Sequence, residues 1–309
     1  MAPEPHAGSG ATLVLGTAQL GLAYGITNRQ GQPSAAEAED ILDTAGRLGV
    51  SMLDTARAYG TSEAVIGRYL ASHTGPCPFQ VLTKLAPDLG ESDDRDGMMA
   101  ATRTSLQASR AALGTARLDC VMLHRPAHLA LGGGVVMDLL RAERDAGRIG
   151  RLGVSLSEPA ELLGVLEDPD ITHVQFPFNL LDHRFDGQEV QDRLDARPDV
   201  QVHVRSVFLQ GLIVAGTKAQ LHQNFGPEGA RIAGFLDTLP DRLHAALGYV
   251  RAMPWVHGLV VGAASAQELT EIATACQAPV DHALVAHVRQ HRPVLGEAIL
   301  NPARWPALT

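Results

Sequence analysis

The chain has 309 residues, of which 45% are hydrophobic, and this length suffices for one large domain with a substantial core. Its net charge of −9 and the lack of any cluster of Lys or Arg argue against a nucleic-acid partner. No apolar run approaches the roughly 18 residues of a membrane span, and the first residues lack the pattern of a signal peptide. We therefore predict a globular cytoplasmic protein without membrane contact, made of a flexible lead-in (1–10) and a single domain (11–309).

The three cysteines, Cys77, Cys120 and Cys276, lie far apart in the sequence. Their spacing matches no metal-binding or redox motif. We predict free thiols in a reducing compartment and no bound metal.

Short apolar runs recur along the chain and are separated by longer amphipathic stretches. Each run is too short for a helix, and most are rich in Val or Leu, which is typical of strands buried on both faces. The eight candidate strands are TLVLG (12–16), SMLD (51–54), QVLTK (80–84), DCVMLH (119–124), RLGVS (151–155), HVQF (173–176), VHVRS (202–206) and GLVVG (258–262).

The intervening stretches carry the signals of helices. Ser34 with Glu37 and Ser265 with Glu268 have the spacing of capping boxes. Eight alternating strand and helix units predict an α/β protein with a parallel sheet, and eight units close into a (β/α)₈ TIM barrel. A doubly wound open sheet is the competing architecture, but no Gly-x-Gly-x-x-Gly motif follows the first strand.

The segment 209–240, after the seventh strand, is irregular and rich in Gly. We predict a long irregular loop with short helical pieces here. Long loops within a compact domain are more often functional, so this loop is a candidate binding element.

Four polar side chains stand at or just after the ends of consecutive predicted strands: Asp54, Tyr59, Lys84 and His124. In a barrel these strand ends lie on one face, where enzymes of this fold hold their active sites. A lysine that ends an apolar run needs a counter-charge, and Asp54 on the neighbouring strand is its natural partner.

These four residues suit the reduction of a carbonyl group or, in reverse, the oxidation of an alcohol. An ordinary tyrosine has a pKa of about 10, but a nearby ammonium stabilises its phenolate. Tyr59 is then the residue that transfers the proton, and His124 orients the substrate oxygen or assists the transfer. Each residue alone has a structural alternative, such as a turn cap for Asp54 or a core position for His124. Their occurrence together on one face favours the functional interpretation.

The sequence resembles the aldo-keto reductase family over nearly its whole length. The matching stretches are LGTAQLG (15–21), LDTARAYGTSE (53–63), LTK (82–84), LDCVMLHRP (118–126), GRIGRLGVS (147–155), QFPFN (175–179), RSVFLQGLI (205–213) and VVGAASAQEL (260–269). The resemblance implies a barrel that binds an extended nicotinamide dinucleotide across its C-terminal face. It also implies that Tyr59 is the general acid/base, that Asp54 and Lys84 tune it, and that His124 positions the carbonyl.

The resemblance further implies contacts to the nicotinamide end of the cofactor. Ser155 and Gln175 match residues that hold the nicotinamide amide, and Asn179 matches a nearby residue of the same motif. Arg205 stands where many relatives have an aromatic ring that stacks on the nicotinamide, and a guanidinium plane can stack similarly. Three residues are expected near the nicotinamide ribose: Thr17, Gln19 and Asp54.

Gly211 and Gly262 match positions where the backbone approaches the phosphates, which a small residue permits. Ser265 and Glu268 follow the last strand and are expected at the adenosine end. Relatives often carry an arginine here that pairs with the 2′-phosphate of NADP, whereas this chain has Ala264. NADP(H) is the expectation from the family, and NAD(H) is the alternative.

NAD(H) is favoured by the carboxylate of Glu268, which can accept a hydrogen bond from a ribose 2′-hydroxyl and repels a 2′-phosphate. Lys218, in the loop after the seventh strand, is a candidate replacement for the missing cation.

The substrate is expected to be an aldehyde, ketone, sugar or polyol. Arg125, His128, His183 and Arg184 favour a polar, hydroxylated or anionic compound over a steroid. Few aromatic residues fall in the predicted rim loops: Tyr24, Tyr59, Phe176, Phe178 and Phe208.

Two other functions compete with catalysis of carbonyl reduction. A nicotinamide-binding sensor or regulatory subunit with little turnover has no need of all four polar residues. A lyase or isomerase that forms a Schiff base on Lys84 is disfavoured, because Asp54 is expected to keep that lysine protonated.

Overall fold

A computed structural model describes residues 11–25, 28, 31–73, 79–89 and 94–305. The predicted lead-in (1–10) lies outside the described residues.

Eight parallel strands close into a barrel in chain order, and the last strand pairs with the first. The strands are β1 (Thr12–Gly16), β2 (Met52–Asp54), β3 (Gln80–Lys84), β4 (Leu118–Leu123), β5 (Ile149–Ser155), β6 (Ile171–Pro177), β7 (Gln201–Arg205) and β8 (Gly258–Gly262). The predicted (β/α)₈ barrel is confirmed, and the competing open sheet does not form.

Helices connect the strands and surround the barrel. They are α1 (Ala18–Gly21), α2 (Ala35–Arg47), α3 (Ser62–Ser72), α4 (Arg95–Leu113), α5 (Val135–Asp145), α6 (Pro159–Val165), α7 (Gln188–Asp195), α8 (Leu212–Ala215), α9 (Lys218–Leu236), α10 (Arg242–Arg251), α11 (Ala266–Gln277), α12 (His282–His291) and α13 (Glu297–Leu300), with short 3₁₀ helices at Pro126–Leu129, Leu131–Gly133 and Pro302–Arg304. The predicted capping box of Ser34 and Glu37 is present at the start of α2. In the part of the chain that the structure describes, no helix has the length and apolar character that a membrane crossing requires.

The segment after β7 is more helical than the predicted loop. It contains α8 and the 19-residue α9, whose start is fixed by a capping box of Thr217 and Gln220. Gly226, at φ 55° and ψ −131°, kinks α9, and Pro227 follows it. The kink interrupts the helical spacing of the apolar residues, which is why the sequence pattern is irregular there.

The strands are buried on both faces. Most core residues form one cluster between the strands and the surrounding helices, while Leu82, Cys120 and Met122 form a smaller cluster inside the barrel. Phe176 and Phe178, which were predicted at the rim, are fully buried and pack on other core aromatics. Most of this core is apolar, so the buried charged residues at the C-terminal ends of the strands form a distinct polar group at the mouth of the barrel.

Candidate active site

A buried ion pair joins the C-terminal ends of β2 and β3. Lys84 Nζ donates to the two carboxylate oxygens of Asp54 at 2.7 and 2.8 Å and to the Thr55 carbonyl at 3.1 Å. Lys84 is 1% exposed and Asp54 is 3% exposed. Burial opposes the charge on Lys84, but the charge and hydrogen bonds of Asp54 together with Tyr59 outweigh it, so the pKa of the ammonium is raised. The predicted pairing of these two residues is therefore present.

Gln175 is a further partner of the Asp54 carboxylate. Its Nε2 atom donates to Asp54 Oδ1 at 2.7 Å. At the other end of the amide, Gln175 Oε1 is buried and has no hydrogen-bond partner among the described residues. A buried polar atom without a partner costs free energy, so this oxygen is suited to an N–H donor brought by a ligand.

Tyr59 lies in a tight loop between β2 and α3. Its backbone N–H donates to the Ala56 carbonyl, and its own carbonyl accepts the N–H of Ser62. A Cβ atom at Gly21 would stand 1.9 Å from the Tyr59 carbonyl oxygen, so only glycine lets α1 approach this loop so closely. Lys84 Nζ lies 5.1 Å from the centre of the Tyr59 ring. The ammonium thus lies over the face of the phenol ring.

His124 follows the last residue of β4 and is half-buried. Burial lowers its pKa to about 4, and the positive charge of Lys84 acts in the same direction. The imidazole is therefore neutral at pH 7, and it gains a proton only as the pH falls toward 4. A neutral imidazole still carries one N–H, which can donate a hydrogen bond to a substrate oxygen.

These residues share one cleft of about 680 Å³ at the C-terminal mouth of the barrel. The strand register brings the ends of β1, β2 and β8 to the same level of the cleft, because Gly16 pairs with Asp54 on one side and with Gly262 on the other. The cleft brings together all four predicted catalytic residues: Asp54, Tyr59, Lys84 and His124.

Most of the predicted cofactor residues line the same cleft. Beside Asp54, they are Thr17, Gln19, Ser155, Arg205, Gly211, Gly262 and Glu268. Gln175 is fully buried behind Asp54, to which it is hydrogen-bonded. Asn179 and Ser265 are not part of the lining.

Asn179 has a structural role in the loop after β6. Its Nδ2 donates to the Ser206 carbonyl at 3.0 Å, and its Oδ1 accepts the backbone N–H groups of Leu181 and Asp182 at 2.9 Å. Both ends of the amide are thus used within the protein, and the side chain is fully buried. That Asn179 contacts the cofactor stays a prediction, and these hydrogen bonds favour a structural role for its side chain.

At the predicted adenosine end of the cleft, the structure places Ser265, Glu268 and Lys218 differently from one another. Ser265 Oγ accepts the backbone N–H of Glu268 at 3.1 Å and so caps α11, which accounts for its position outside the cleft. Glu268 lines the cleft, and its Oε2 accepts the backbone N–H of Ala264 at 2.7 Å. Lys218 pairs with Asp237 at 2.5 Å and does not line the cleft, so it is not placed to replace the missing cation.

The model of the Aldo/keto reductase family matches residues 12–293 of the sequence. The chain belongs to the aldo/keto reductase family. The resemblance predicted from its motifs is therefore confirmed.

Solved structures of other aldo-keto reductases share the fold of this one. The holo form of AKR11C1 from Bacillus halodurans is 20% identical, with 92% of each chain covered and a TM-score of 0.72. PA4992 from Pseudomonas aeruginosa is 21% identical, with 89% of this chain and 93% of that chain covered and a TM-score of 0.64. No curated protein matches the sequence significantly. At these identities the likeness bears on the fold alone.

Aldo/keto reductases generally use NAD(P)H to interconvert carbonyl compounds and alcohols, and several residues at this cleft have groups that suit such a cofactor. The buried Oε1 of Gln175 lacks an N–H donor, which a nicotinamide carboxamide carries, but Gln175 lies behind Asp54 and does not itself line the cleft. Ser155 lines the cleft, beside Gln175 in the strand register. Gly211 and Gly262 also line the cleft, and a Cβ atom at Gly262 would stand 2.2 Å from the Gln19 amide, so a larger residue there would displace that side chain.

Several residues that line the cleft are not predicted by the sequence motifs. Ser206 and Gln210 adopt left-handed backbone conformations, as does Leu209 between them, with φ of 59°, 55° and 48°. Non-glycine residues pay about 1–3 kcal/mol for such conformations, and their side-chain types gave no signal of them. Asn301 and Pro302 reach the cleft from the C-terminal segment, far from any motif.

The residues proposed to shape the substrate pocket divide into two groups. Arg125 lines the cleft, together with Tyr24 and Phe208. His128, His183 and Arg184 are not in the lining. His128 is buried, and Arg184 forms ion pairs with Asp182 and Glu158. These two side chains therefore interact within the protein and not with the cleft.

The two cysteines that the structure describes, Cys120 and Cys276, do not line the cleft. Cys120 is buried inside the barrel, and burial raises the pKa of its thiol to about 12. Cys276 is half-buried, and Cys77 lies outside the described residues. Within the described ranges, no group of three or more His, Cys, Asp or Glu side chains is placed to hold a metal ion.

Proposed function

We propose that this aldo/keto reductase transfers a hydride between a nicotinamide cofactor and a small carbonyl compound, with Tyr59 as the general acid or base. The observation that carries the proposal is the buried pair of Lys84 and Asp54, with the ammonium 5.1 Å from the Tyr59 ring centre. A lysine at 1% exposure is costly in a protein, and its position beneath a phenol in an open cleft gives it a chemical use.

In the reductive direction, a bound reduced nicotinamide supplies the hydride that adds to the carbonyl carbon. The Tyr59 hydroxyl supplies the proton that the carbonyl oxygen gains, so C=O becomes CH–OH. The Lys84 ammonium stabilises the phenolate that remains, and this phenolate regains a proton from solvent. In the oxidative direction, the same phenolate accepts the proton of the alcohol.

His124 and Asp54 assist this proton transfer in different ways. The N–H of the neutral His124 ring holds the substrate oxygen by a hydrogen bond. Asp54 keeps Lys84 charged and in place, and Gln175 fixes the orientation of the carboxylate. All three protons of the Lys84 ammonium are used in hydrogen bonds, which argues against a Schiff base on this lysine.

Tyr24 is the other phenol in the cleft and is the less suitable acid. Burial raises the pKa of Tyr24, so its hydroxyl releases a proton less readily. Tyr59, which has the ammonium beneath its ring, is therefore the better assignment.

For the cofactor, we propose that Ser155 and Gln175 hold the nicotinamide amide and that Gly211 and Gly262 adjoin the phosphates. Glu268 is the carboxylate nearest the proposed adenosine end, because it follows β8 at the start of α11. Since Lys218 is paired elsewhere, this arrangement favours the 2′-hydroxyl of NAD(H) over the 2′-phosphate of NADP(H).

The test is the Tyr59→Phe variant, assayed with NADH and NADPH against aldehydes and ketones by absorbance at 340 nm. General acid–base catalysis contributes about 10²–10⁴-fold, so we expect kcat to fall by that amount while cofactor affinity, measured by fluorescence, stays within about threefold. Tyr24→Phe is the matched control, since it removes the other phenol of the cleft, and it should retain most of the rate. Wild-type turnover by Tyr59→Phe would overturn the assignment. Tight cofactor binding by the wild type without turnover of any carbonyl would favour the sensor function instead.

A further inference from the structure

The arginines of the cleft differ from most other arginines of this chain. Outside the cleft, most described arginines form ion pairs with Asp or Glu, as expected in a chain with a net charge of −9. Arg125 has no side-chain hydrogen bond or ion pair within the described part of the chain. Among the described residues, the Arg205 side chain donates to the Leu156 carbonyl alone, at 3.0 Å. In a protein with abundant carboxylates, two cations without a counter-charge in one cleft suggest that a ligand supplies the anion.

The position of Arg125 separates it from the proposed nucleotide end. It follows His124 at the end of β4, and in the closed strand order β4 lies directly across the barrel from β8. Gly262 ends β8, and Glu268 follows in α11. The phosphates of a cofactor at Gly211 and Gly262 are therefore on the far side of the mouth. Arg125 therefore lies on the side of the cleft left for the substrate by the proposed cofactor position, next to His124.

Arg125 is exposed, and the other residues that line the cleft do not cancel its charge. Asp54 is already neutralised by the ammonium of Lys84. His124 carries no charge at pH 7, because burial holds its pKa at about 4. Apart from Asp54, the acidic residue in the described lining is Glu268, on the opposite side. The substrate half of the cleft is thus electropositive although the whole chain is acidic.

We infer that the substrate is a carbonyl compound that carries a carboxylate or phosphate group, and that Arg125 is the residue that selects this anion. The inference rests on the proposed function, because it assigns the substrate of that same site. A guanidinium presents a planar fork of donors that matches both anions and remains charged at every relevant pH. Bound in this way, the anion fixes one end of the substrate while its carbonyl oxygen lies between Tyr59 and His124.

The test compares matched pairs of substrates that differ only in the anion. Succinic semialdehyde and its methyl ester probe a carboxylate, and glyceraldehyde 3-phosphate and glyceraldehyde probe a phosphate. In the wild type, kcat/KM should favour the anionic member of at least one pair, and the pair that responds identifies the anion. In Arg125→Gln this preference should fall by about 10- to 100-fold, the value of a hydrogen-bonded charge, mainly through KM. Arg125→Lys, which keeps the charge without the fork, should lie between the two.

Two controls separate this effect from damage to the fold or to the cofactor site. Arg103→Gln removes an exposed arginine on α4, outside the cleft, and should leave all rates unchanged. The affinity of Arg125→Gln for NADH should equal that of the wild type. A loss of cofactor affinity in this variant would overturn the inference, since Arg125 would then bind the nucleotide.

The outcomes also distinguish the inference from the function beneath it. Equal kcat/KM for the charged and neutral members of both pairs would overturn the inference while leaving the reductase activity intact. Should no carbonyl be turned over, the non-reacting anions succinate and inorganic phosphate, titrated calorimetrically into the cofactor complex, decide the matter. Binding of either that Arg125→Gln abolishes would support the anion site although the proposed function had failed. No binding of either would overturn the inference as well.

Discussion

The polar residues at the C-terminal ends of β2, β3 and β4 interact with one another, whereas those that follow β8 interact mainly with their own loop and helix. On the first side, here called the catalytic side (Asp54, Tyr59, Lys84 and His124), one ammonium contacts the carboxylate and lies under the phenol ring. On the second, the nucleotide side (Gly211, Gly262, Ser265 and Glu268), Ser265 caps α11 and Glu268 accepts the N–H of Ala264.

The difference follows from burial. Lys84 and Asp54 are almost fully buried, so each requires the other and the partner can be inferred from the strand order alone. Serine and acidic residues at a helix start already have partners in the free backbone N–H groups of the first turn. A polar residue on a buried strand end is thus stronger evidence of a site than one at the start of an exposed helix.

The largest effect is expected from breaking the buried ion pair. Lys84→Met leaves Asp54 buried with Gln175 as its remaining side-chain donor, and removal of one partner of a buried pair costs about 3–5 kcal/mol. We expect the free energy of unfolding, measured by denaturant titration with circular dichroism, to fall by that amount and turnover to be lost. Lys218→Met is the matched control, because Lys218 is the other lysine of the chain and its side chain is 72% exposed. It should change stability little.

The double variant Lys84→Met/Asp54→Asn sharpens this comparison. Without a charge left unpaired, it should recover part of the stability but none of the activity. Equal stability of Lys84→Met and Lys218→Met would contradict the claim that the catalytic side is built on a desolvated pair.

The barrel could be predicted from the sequence because strands buried on both faces are short continuous apolar runs. For β1, β3 and β8 the predicted bounds agree with the structure, and β5 and β6 extend two residues further at their starts. The segment after β7 could not be predicted as helical, because the kink at Gly226 divides α9 into two pieces too short to show a period. Helix propensity alone does not decide such short pieces.

The catalytic side could likewise be predicted, since each of its residues stands at or shortly after a strand end. The roles of Asn179 and Ser265 could not, because a backbone partner in the same turn is as compatible with their motifs as a ligand. The contribution of Asn301 had no local signal, because it depends on where the C-terminal segment lies on the folded barrel.

A smaller effect is expected on the nucleotide side, where Glu268 is the proposed discriminator between cofactors. Glu268→Gln removes the charge that faces a 2′-phosphate but retains an oxygen that can accept the N–H of Ala264. At the dielectric constant of bulk water, which suits a solvent-exposed site, one such charge at contact distance corresponds to about 1 kcal/mol, or about a fivefold change in affinity. We expect the Kd for NADPH to fall by that factor and the Kd for NADH to change little, both measured by fluorescence titration. Lower affinity for both nucleotides would show instead that the carboxylate binds the ribose of either one.

The smallest effect is expected from Ser265→Ala, which tests whether the Ser265 hydroxyl caps α11 or binds the cofactor. Ser265→Ala removes the acceptor of the Glu268 N–H and should lower the free energy of unfolding by about 1 kcal/mol. It should leave the Kd for NADH and NADPH unchanged, because Ser265 does not line the cleft. Ser34→Ala, which removes the corresponding cap of α2, provides the reference for a purely structural loss. If Ser265→Ala weakened cofactor binding and Ser34→Ala did not, the hydroxyl would contact the cofactor in the bound state, and the nucleotide side would depend on α11 more than its local hydrogen bonds indicate.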